Sequence, residues 1–168
     1  MLRIRPYKPA DAIKVVGWIK DEMSFRKWCA DRYDSYPITA DDMNRFYDSC
    51  GDDIFAFTAF DETGVAGHFT LRFFDEDKDE LRLGFVIVDD ARRGKGYGRE
   101  MVSLALKFAF ELVKVQKVTL GVFENNDTAF DCYAAVGFRK TDGSWSCTVR
   151  DEEWLCRSMA ITAEEYFG

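Results

Sequence analysis

The sequence has little histidine and little proline. Among its 168 residues there are one histidine, His68, and three prolines. A single imidazole excludes the usual His-based metal clusters, so no metal cofactor is expected, with carboxylate-bound magnesium as the alternative. No Ser/Gly-rich linker, repeat or low-complexity tract divides the chain. Residues 1–168 are therefore predicted to form one domain, and 47% hydrophobic residues are enough to give it a buried core.

The cysteines also lack a pattern that would indicate a structural role. They are odd in number, widely spaced and without any C-x-x-C pair: Cys29, Cys50, Cys132, Cys147 and Cys156. Neither a disulfide framework nor a zinc site is indicated by this spacing. We therefore expect five reduced thiols.

Long apolar runs and an excess of positive charge are missing too. Charged residues interrupt every longer hydrophobic stretch, as Lys107 and Glu111 do in "SLALKFAFELV", and the first residues do not resemble a signal peptide. A cytoplasmic protein with no membrane partner is expected. The net charge of −7 and the pI near 4.8 argue against nucleic-acid binding and favour a cationic, amine-bearing partner.

Hydrophobic periodicity predicts a sheet flanked by helices. The predicted strands are "LRIRPY", "IFAFTAF", "GVAGHFTLRFF", "ELRLGFVIV", "KVTLGVF" and "EEWLCRSMAI". The predicted helices are "PADAIKVVGWIKD", part of "EMSFRKWCADRYDSYP", "TADDMNRFYDSCG", "GREMVSLALKFAFELVK" and "DTAFDCYAAV". In the third of these helices, Thr39 is the expected N-cap and Gly51 the residue that ends it.

The order of these elements predicts the fold class. The second, third and fourth strands are joined by short turns and should form an antiparallel meander. The strands ending near Val88 and Phe123 are separated by one helix, and a right-handed crossover makes such strands parallel neighbours. The predicted class is mixed α/β (α+β), with a mostly antiparallel sheet, one parallel pair and helices on both faces.

The segment "ARRGKGYGRE" places three glycines at alternate positions directly before a helix. A helix N-terminus has unpaired N–H groups that bind phosphate when no Cβ atom blocks the approach, and Gly94, Gly96 and Gly98 leave that approach open. Four basic residues add positive charge to the segment: Arg92, Arg93, Lys95 and Arg99. The alternative is a solvated basic turn that only starts the helix. The spacing fits neither a Rossmann fingerprint nor a P-loop.

Two motifs resemble signatures of the GNAT N-acetyltransferase superfamily. Its R/Q-x-x-G-x-G/A pattern is matched by Arg93-Gly94-Lys95-Gly96-Tyr97-Gly98, directly after a hydrophobic strand. Its N-x-x-A-x-x-x-Y-x-x-x-G-F pattern is matched in "NDTAFDCYAAVGF" by Asn126, Ala129, Tyr133, Gly137 and Phe138. The order of elements is similar to the family's over nearly the whole chain.

The resemblance implies a cofactor and a site. Two parallel strands are expected to splay apart and hold acetyl-CoA, with its diphosphate on the glycine segment and Arg99 beside it. Backbone groups of Val86, Ile87 and Val88 are expected to pair with the pantetheine amides, as a short extra strand would. Asn126 and Ala129 are expected to contact the pantetheine arm, although Asn126 also suits a plain helix N-cap.

Transfer of an acetyl group to an amine needs a proton donor for the sulfur and, for a basic amine, a proton acceptor. By position in the family pattern, Tyr133 is the expected general acid, with a packed core tyrosine as the alternative. Glu80 is the candidate general base, with a solvated turn acid as the alternative. His68 is a second base candidate, and Cys132 is expected to be a packed thiol rather than a nucleophile.

The acceptor site is expected among the N-terminal helices and the late strands. Aromatic and acidic residues are mixed there, as suits a cationic amine: Trp18, Phe25, Trp28, Tyr33, Tyr36, Asp21, Glu22, Asp31 and Asp34. A helix pair with an apolar inner face explains the same residues without a ligand. The predicted activity is direct acetyl transfer to a primary amine by a monomer or homodimer. A non-catalytic acyl-CoA-binding module and a nucleotide-binding regulator are the alternatives.

Overall fold

The computed structural model describes residues 1–168 and contains seven strands and six α-helices. The strands are β1 Arg3–Pro6, β2 Ile54–Asp61, β3 Gly64–Phe73, β4 Glu80–Val88, β5 Lys117–Phe123, β6 Arg139–Val149 and β7 Glu152–Thr162. The helices are α1 Ala12–Gly17, α2 Glu22–Cys29, α3 Ala40–Ser49, α4 Tyr97–Lys107, α5 Asp127–Ala135 and α6 Ala163–Phe167. The strands form one mixed sheet in the order β1-β2-β3-β4-β5-β7-β6, which confirms the predicted class.

Helices cover both faces of the sheet, as predicted. On one face α4 and the π-helical segment Phe108–Val113 bury a core cluster that includes Phe69 and Leu81. On the other face α1, α2 and α3 bury a second cluster that includes Phe25 and Met43. No helix is both long enough and apolar enough to cross a membrane.

The third helix begins and ends where the sequence indicates. Thr39 Oγ1 accepts a hydrogen bond from the Asp42 N–H, and the Asp42 carboxylate accepts one from the Thr39 N–H, which is a capping box. Gly51, two residues past the end of α3, has a φ of +70°. Glycine adopts this left-handed conformation without the steric cost that a Cβ atom brings.

The parallel pair β4–β5 is formed only at one end of the two strands. Three register pairs join them: Glu80 with Lys117, Leu81 with Val118 and Arg82 with Thr119. Beyond these pairs β4 continues beside β3 as far as Val88, while β5 continues beside β7 as far as Phe123. The two strands therefore separate toward their carboxyl ends and leave a wedge between them, as expected.

A β-bulge in β4 changes which layer its side chains face. One extra residue is inserted on β4 between the positions that pair with His68 and Thr70 of β3, and Phe85 has a φ of +49°. Leu83 belongs to the core cluster on the α4 face, whereas Phe85 belongs to the cluster under α1–α3. The bulge therefore interrupts the simple alternation of faces along β4, and Val86 packs against the α4-side core.

Two elements were not predicted from the sequence. β6 forms the edge of the sheet, pairs with β7, and has exposed residues at nearly every position, so it lacks the apolar alternation that indicates a strand. α6 is only five residues long and begins with a capping box between Thr162 and Glu165. The late strand predicted at "EEWLCRSMAI" is β7, which lies between β5 and the edge.

Candidate active site

The wedge between β4 and β5 opens into a cavity of about 220 Å³. Its wall on the sheet includes Leu83, Gly84, Phe85 and Val86 of β4 and Gly121, Val122 and Phe123 of β5. Helix α5 contributes Asn126, at its start, and Ala129 and Tyr133. Residues of α2, α3 and the following segments close the opposite side. The cavity thus joins the predicted pantetheine-binding residues to the predicted acceptor side of the protein.

The glycine segment lies outside the wall of this cavity and begins α4. Gly94 and Gly96 have φ values of +75° and +87°, and an added Cβ would meet no atom within 4 Å at either position. Their conformation, rather than crowding, therefore favours glycine. Gly96 is the N-cap of α4 and offers no side-chain acceptor, so the first N–H groups of the helix are left without a capping partner.

One buried carboxylate holds the glycine segment in place. Asp61, at the end of β2, accepts hydrogen bonds from Arg92 Nη1 at 2.8 Å and from the Tyr97 hydroxyl at 2.7 Å. Hydrogen bonds from Thr63, Tyr97 and Arg92 keep the pKa of Asp61 well below its usual range. The Arg92 and Tyr97 side chains are thereby committed to the protein, and only the backbone of Tyr97 can contribute to an anion site.

Three other cations of this segment have no acidic partner. The side chains of Arg93, Lys95 and Arg99 are exposed, and none of them forms an ion pair within 4 Å. Arg93 Nε donates to the Val88 carbonyl at 3.3 Å, which holds its guanidinium close to the end of β4. Unpaired cations around an uncapped helix N-terminus suit a diphosphate group. The predicted anion-binding residues are therefore brought together.

The end of β4 presents a free backbone edge to the wedge. Residues 83–88 have no partner on β5, because the last parallel pair is Arg82 with Thr119. The side chain of Ile87 is buried under α1–α3, whereas Val86 and Val88 pack toward α4. The backbone groups of Val86, Ile87 and Val88 thus lie at an open strand edge, which can accept an extended ligand by β-augmentation.

Helix α5 carries two polar residues of the family pattern, Asn126 and Tyr133, and both line the same cavity. Asn126 is the N-cap of α5 and accepts a hydrogen bond from the Ala129 N–H at 3.3 Å. Its side chain therefore fills the plain N-cap role, while the residue also lines the cavity. Tyr133 lies two turns further along the helix and is buried against Phe138, with ring centroids 6.0 Å apart.

The Tyr133 phenol holds its proton strongly. Burial is the main cause that raises its pKa above the ordinary value, the neighbouring Cys132 adds to the shift, and no hydrogen-bonding partner contributes. The hydroxyl therefore stays protonated at neutral pH. Tyr133 both packs in the core and lines the cavity. A packing role therefore does not exclude a role as general acid.

The two candidate bases lie away from the cavity wall. Glu80 stands at the paired end of the wedge, where its carboxylate accepts from Thr119 Oγ1 at 2.7 Å and pairs with Lys117 Nζ at 3.1 Å. His68 is fully buried, with Nε2 2.6 Å from the Tyr47 hydroxyl. Burial lowers the pKa of His68 to about 3, so the ring is neutral at pH 7.

The cysteines carry no sign of nucleophilic activation. All five are free, and Cys132 lies beside Gly98, where an added Cβ would be 3.4 Å from its sulfur. Burial raises the pKa of the Cys132 thiol, which makes it a packed group as expected. No group of three or more His, Cys, Asp or Glu side chains is arranged to hold a metal ion.

A family comparison agrees with this geometry. Residues 1–139 match a family model described as "Acetyltransferase (GNAT) domain", which is most of the chain. The chain belongs to the GNAT acetyltransferase family. This match confirms the family resemblance inferred from the two motifs. It also confirms the expected class of enzyme, an acetyltransferase.

The curated relatives of this GNAT protein match it over part of their length. A spermine/spermidine N(1)-acetyltransferase of Bacillus subtilis is 32% identical over 81 residues, which are 47% of this chain and 53% of that protein. An uncharacterised prophage-derived N-acetyltransferase of the same species is 28% identical over 108 residues, 62% of this chain and 60% of that protein. The matched part of this chain thus spans about half the length of its first curated relative.

Solved structures share the fold over nearly the whole chain. A spermidine N-acetyltransferase from Vibrio cholerae, in complex with CoA and spermine, superposes with a TM-score of 0.84 at 17% identity, covering 99% of this chain and 98% of that one. A putative phosphinothricin N-acetyltransferase superposes with a TM-score of 0.79 at 20% identity, covering 97% and 99%. At such identities the likeness shows the fold alone.

The acceptor side of this GNAT protein differs from the sequence-based expectation. Trp28 and Asp31 line the cavity, but Trp18, Phe25 and Tyr33 are buried in the core under α1–α3, as the helix-pair alternative predicts. The remaining predicted residues, Asp21, Glu22, Asp34 and Tyr36, are absent from the wall. Asp21 instead caps α2 by accepting from the Ser24 N–H, and Glu22 pairs with Arg150.

Sequence reasoning missed several residues that line the cavity, among them Arg72 of β3, Arg82 of β4 and Trp145 of β6. Arg82 lies two residues after Glu80 on the same face of β4. The family pattern therefore pointed to Glu80, whereas the charged residue of this strand that lines the cavity is Arg82. Trp145 lies on the strand that was not predicted. Only the pairing of β3 with β4, and the position of β6 beside β7, bring these residues to one place.

Proposed function

We propose that this protein transfers the acetyl group of acetyl-CoA to a primary amine, by direct attack within a complex that holds both substrates. One observation carries the proposal: a single cavity connects the open edge of β4 and the Tyr133 hydroxyl to an acceptor side built from α2 and α3. Family membership supports the acetyltransferase class, and the names of the relatives support an amine acceptor.

The chain has residues that fit acetyl-CoA at three positions. The uncapped start of α4, with Arg93, Lys95 and Arg99 around it, fits the diphosphate. The free edge of β4 at Val86–Val88 fits the amides of the pantetheine arm, and the start of α5 lies on the opposite wall. Acetyl-CoA supplies an acetyl group activated as a thioester. Free N–H groups of the splayed strand are suited to polarise its carbonyl.

The protein's own groups manage the protons. Tyr133 holds a proton on its phenol oxygen at the cavity wall, where a departing sulfur needs one. On the acceptor side, Asp31 is the one acidic residue of the wall. Deprotonating a lysine-type amine at pH 7 costs about 4–5 kcal/mol, whereas an α-amine costs about 1 kcal/mol. An acceptor of the second kind needs little more than water or Asp31 as its base.

The cellular setting follows from the same proposal. The five free thiols suit a reducing, cytoplasmic compartment. The chemistry as proposed uses no metal ion, and a monomer or a homodimer can perform it. Because the amine is protonated in solution, its cationic head suits Trp28 and Asp31 on the wall.

Ligand-induced stabilisation tests the first half of the proposal. Acetyl-CoA at ten times its Kd should raise the free energy of unfolding by about 1.4 kcal/mol, whereas NAD and ATP should leave the Tm unchanged. Release of free thiol from acetyl-CoA across a library of primary amines tests the second half. Stabilisation without turnover of any amine would favour a non-catalytic acyl-CoA-binding module, and stabilisation by ATP or NAD instead would favour a nucleotide-binding regulator.

A further inference from the structure

Two arginines lie side by side on the wall of the cavity. Arg72 of β3 and Arg82 of β4 are register partners on adjacent antiparallel strands, and both line the cavity wall. Like charges directly opposite each other on a sheet are destabilising. Such a pair is retained only at a cost in stability, which an anion bound between the two guanidinium groups would offset.

The protein supplies no carboxylate to either arginine. Neither guanidinium forms an ion pair within 4 Å, and the one carboxylate that raises the pKa of Arg82, that of Glu80, is already paired with Lys117. Arg32 and Lys27 also line the cavity, so the wall has four cationic residues against one acidic residue, Asp31. Burial and the charge of Arg32 lower the pKa of the Arg72 guanidinium, as expected for crowded cations without a counter-ion.

Two aromatic rings pack against the guanidinium group of Arg82. Its guanidinium lies 5.1 Å from the ring centroid of Phe74 and 5.0 Å from that of Trp145. Trp145 in turn lies over Gly121 of β5, where an added Cβ would be 2.5 Å from the indole ring. The absence of a side chain at Gly121 therefore makes room for Trp145, and Trp145 packs against the charged group. This arrangement is preorganised for a planar anion.

We propose that the acceptor amine also carries a carboxylate, which Arg72 and Arg82 bind, so that the substrate is an amino acid or a similar small amino carboxylate. This inference rests on the proposed acetyl transfer and adds the class of acceptor. A polyamine has only cationic groups, and four cationic residues on the wall would repel it. The cavity of about 220 Å³ also has to hold the end of the pantetheine arm, so the space that remains for the acceptor suits a small zwitterion.

The same placement orients the amine for reaction. With the carboxylate at the arginines, the amine is directed toward Asp31 or toward the open edge of β4, which line other parts of the wall. The ammonium group first gives one proton to Asp31 or water. The neutral amine nitrogen then bonds to the acetyl carbon, the bond from that carbon to sulfur breaks, and the nitrogen gives its second proton to water. The sulfur takes a proton from Tyr133, which regains one from water, so that one proton in all is released to solution.

Matched amines test the proposal directly. The protein amino acids, their primary amides, and spermidine and spermine are compared as acceptors by thiol release from acetyl-CoA. The amides keep the amine and lose the negative charge. We expect the best amino acid to exceed its amide in kcat/KM by about tenfold or more, the order expected from a charge-assisted pair. A faster amide, spermidine or spermine would overturn the proposal.

Variants assign the preference to the arginines. Arg82→Gln and Arg72→Gln should each lower kcat/KM for the amino acid about tenfold and change that for the amide less than threefold. Arg157→Gln is the control, because Arg157 lies on β7 and pairs with Glu124 outside the cavity. Equal losses for acid and amide in the Arg82 variant would contradict a carboxylate site.

A binding measurement separates this inference from the proposed function. If acetyl-CoA stabilises the protein but no amine is turned over, acetyl transfer fails as the function. Calorimetric titration of an N-acetyl amino acid and its N-acetyl amide into the wild type and Arg82→Gln then decides the carboxylate site by itself. Tighter binding of the acid, lost in the variant, supports the site, and equal binding of acid and amide overturns it.

Discussion

Glu80 Oε2 lies 3.1 Å from Lys117 Nζ, and this ion pair joins β4 to β5 at the closed end of the wedge. The other carboxylate oxygen accepts from Thr119 Oγ1, so both oxygens connect the same two strands. Glu80 thus fixes the point from which the strands separate. At roughly 3.3 Å per residue, Glu80 lies about 20 Å along β4 from Val86, so its carboxylate is far from the open strand edge at Val86–Val88.

Replacement of this carboxylate should affect stability rather than chemistry. Glu80→Gln removes the charge of a mostly buried acid and should lower the free energy of unfolding by about 1 kcal/mol, measured by denaturant titration. We expect kcat to change less than twofold. A loss of kcat of a hundredfold, with an altered pH dependence, would instead restore Glu80 as the general base.

Removal of the Tyr133 hydroxyl should slow turnover and spare binding. Tyr133→Phe keeps the buried ring, so the Kd for acetyl-CoA should change less than threefold while kcat falls about a hundredfold, as for loss of a general acid. Steady-state kinetics and calorimetry measure the two quantities. The control is Tyr166→Phe, which loses an exposed hydroxyl bonded to Glu111 and should keep full kcat. An unchanged kcat in the Tyr133 variant would leave this residue with a packing role only.

His68 should make the protein less stable as the pH falls. Because burial lowers its folded-state pKa to about 3, the unfolded chain binds a proton below about 6.5 while the folded chain does not. The free energy of unfolding is independent of this group well above pH 6.5 and should decrease by about 1.7 kcal/mol between pH 6.5 and 5. His68→Gln should lack this slope in denaturant titrations. A wild-type slope in the variant would show that other groups cause it.

Gly121 should matter through the tryptophan that covers it. Gly121→Ala places a methyl group 2.5 Å from the Trp145 ring, which is closer than van der Waals contact, so the partly exposed ring must shift. The preference for an amino acid over its amide should then fall severalfold, while the Kd for acetyl-CoA stays within threefold. Trp145→Phe offers a second route to the same loss. Unchanged selectivity in both variants would show that Arg82 does not depend on this ring.

Much of the fold could be predicted because its signals are local. The apolar runs of β2 and β3, the alternation of apolar residues in the first half of β4 and the capping box at Thr39 are visible in short stretches of sequence. The parallel pair could be inferred from one helical crossover. β6 was missed because its exposed residues show no burial pattern, and the bulge at Phe85 was missed because it depends on the pairing with β3.

The site divides along the same line. The glycine segment and the start of α5 lie within contiguous motifs, so Gly96, Asn126 and Tyr133 could be proposed as site residues from the sequence. The rest of the cavity wall takes single residues from separate strands, and Arg72 and Arg82 are recognised as neighbours only from the pairing of β3 with β4. The net charge of the whole chain is negative, so composition gave no indication that the cavity wall has more basic than acidic residues.

The proposed function depends most on one claim, that the start of α4 binds the diphosphate of acetyl-CoA. Two variants at Gly96 test this claim most directly. Asparagine and aspartate both tolerate the left-handed conformation of Gly96 and differ only in charge. We expect calorimetry to show that Gly96→Asn weakens acetyl-CoA binding by no more than about tenfold, and that Gly96→Asp weakens it by about a further hundredfold, or 2.7 kcal/mol, because a carboxylate repels the diphosphate. Equal affinity of the two variants would contradict the account.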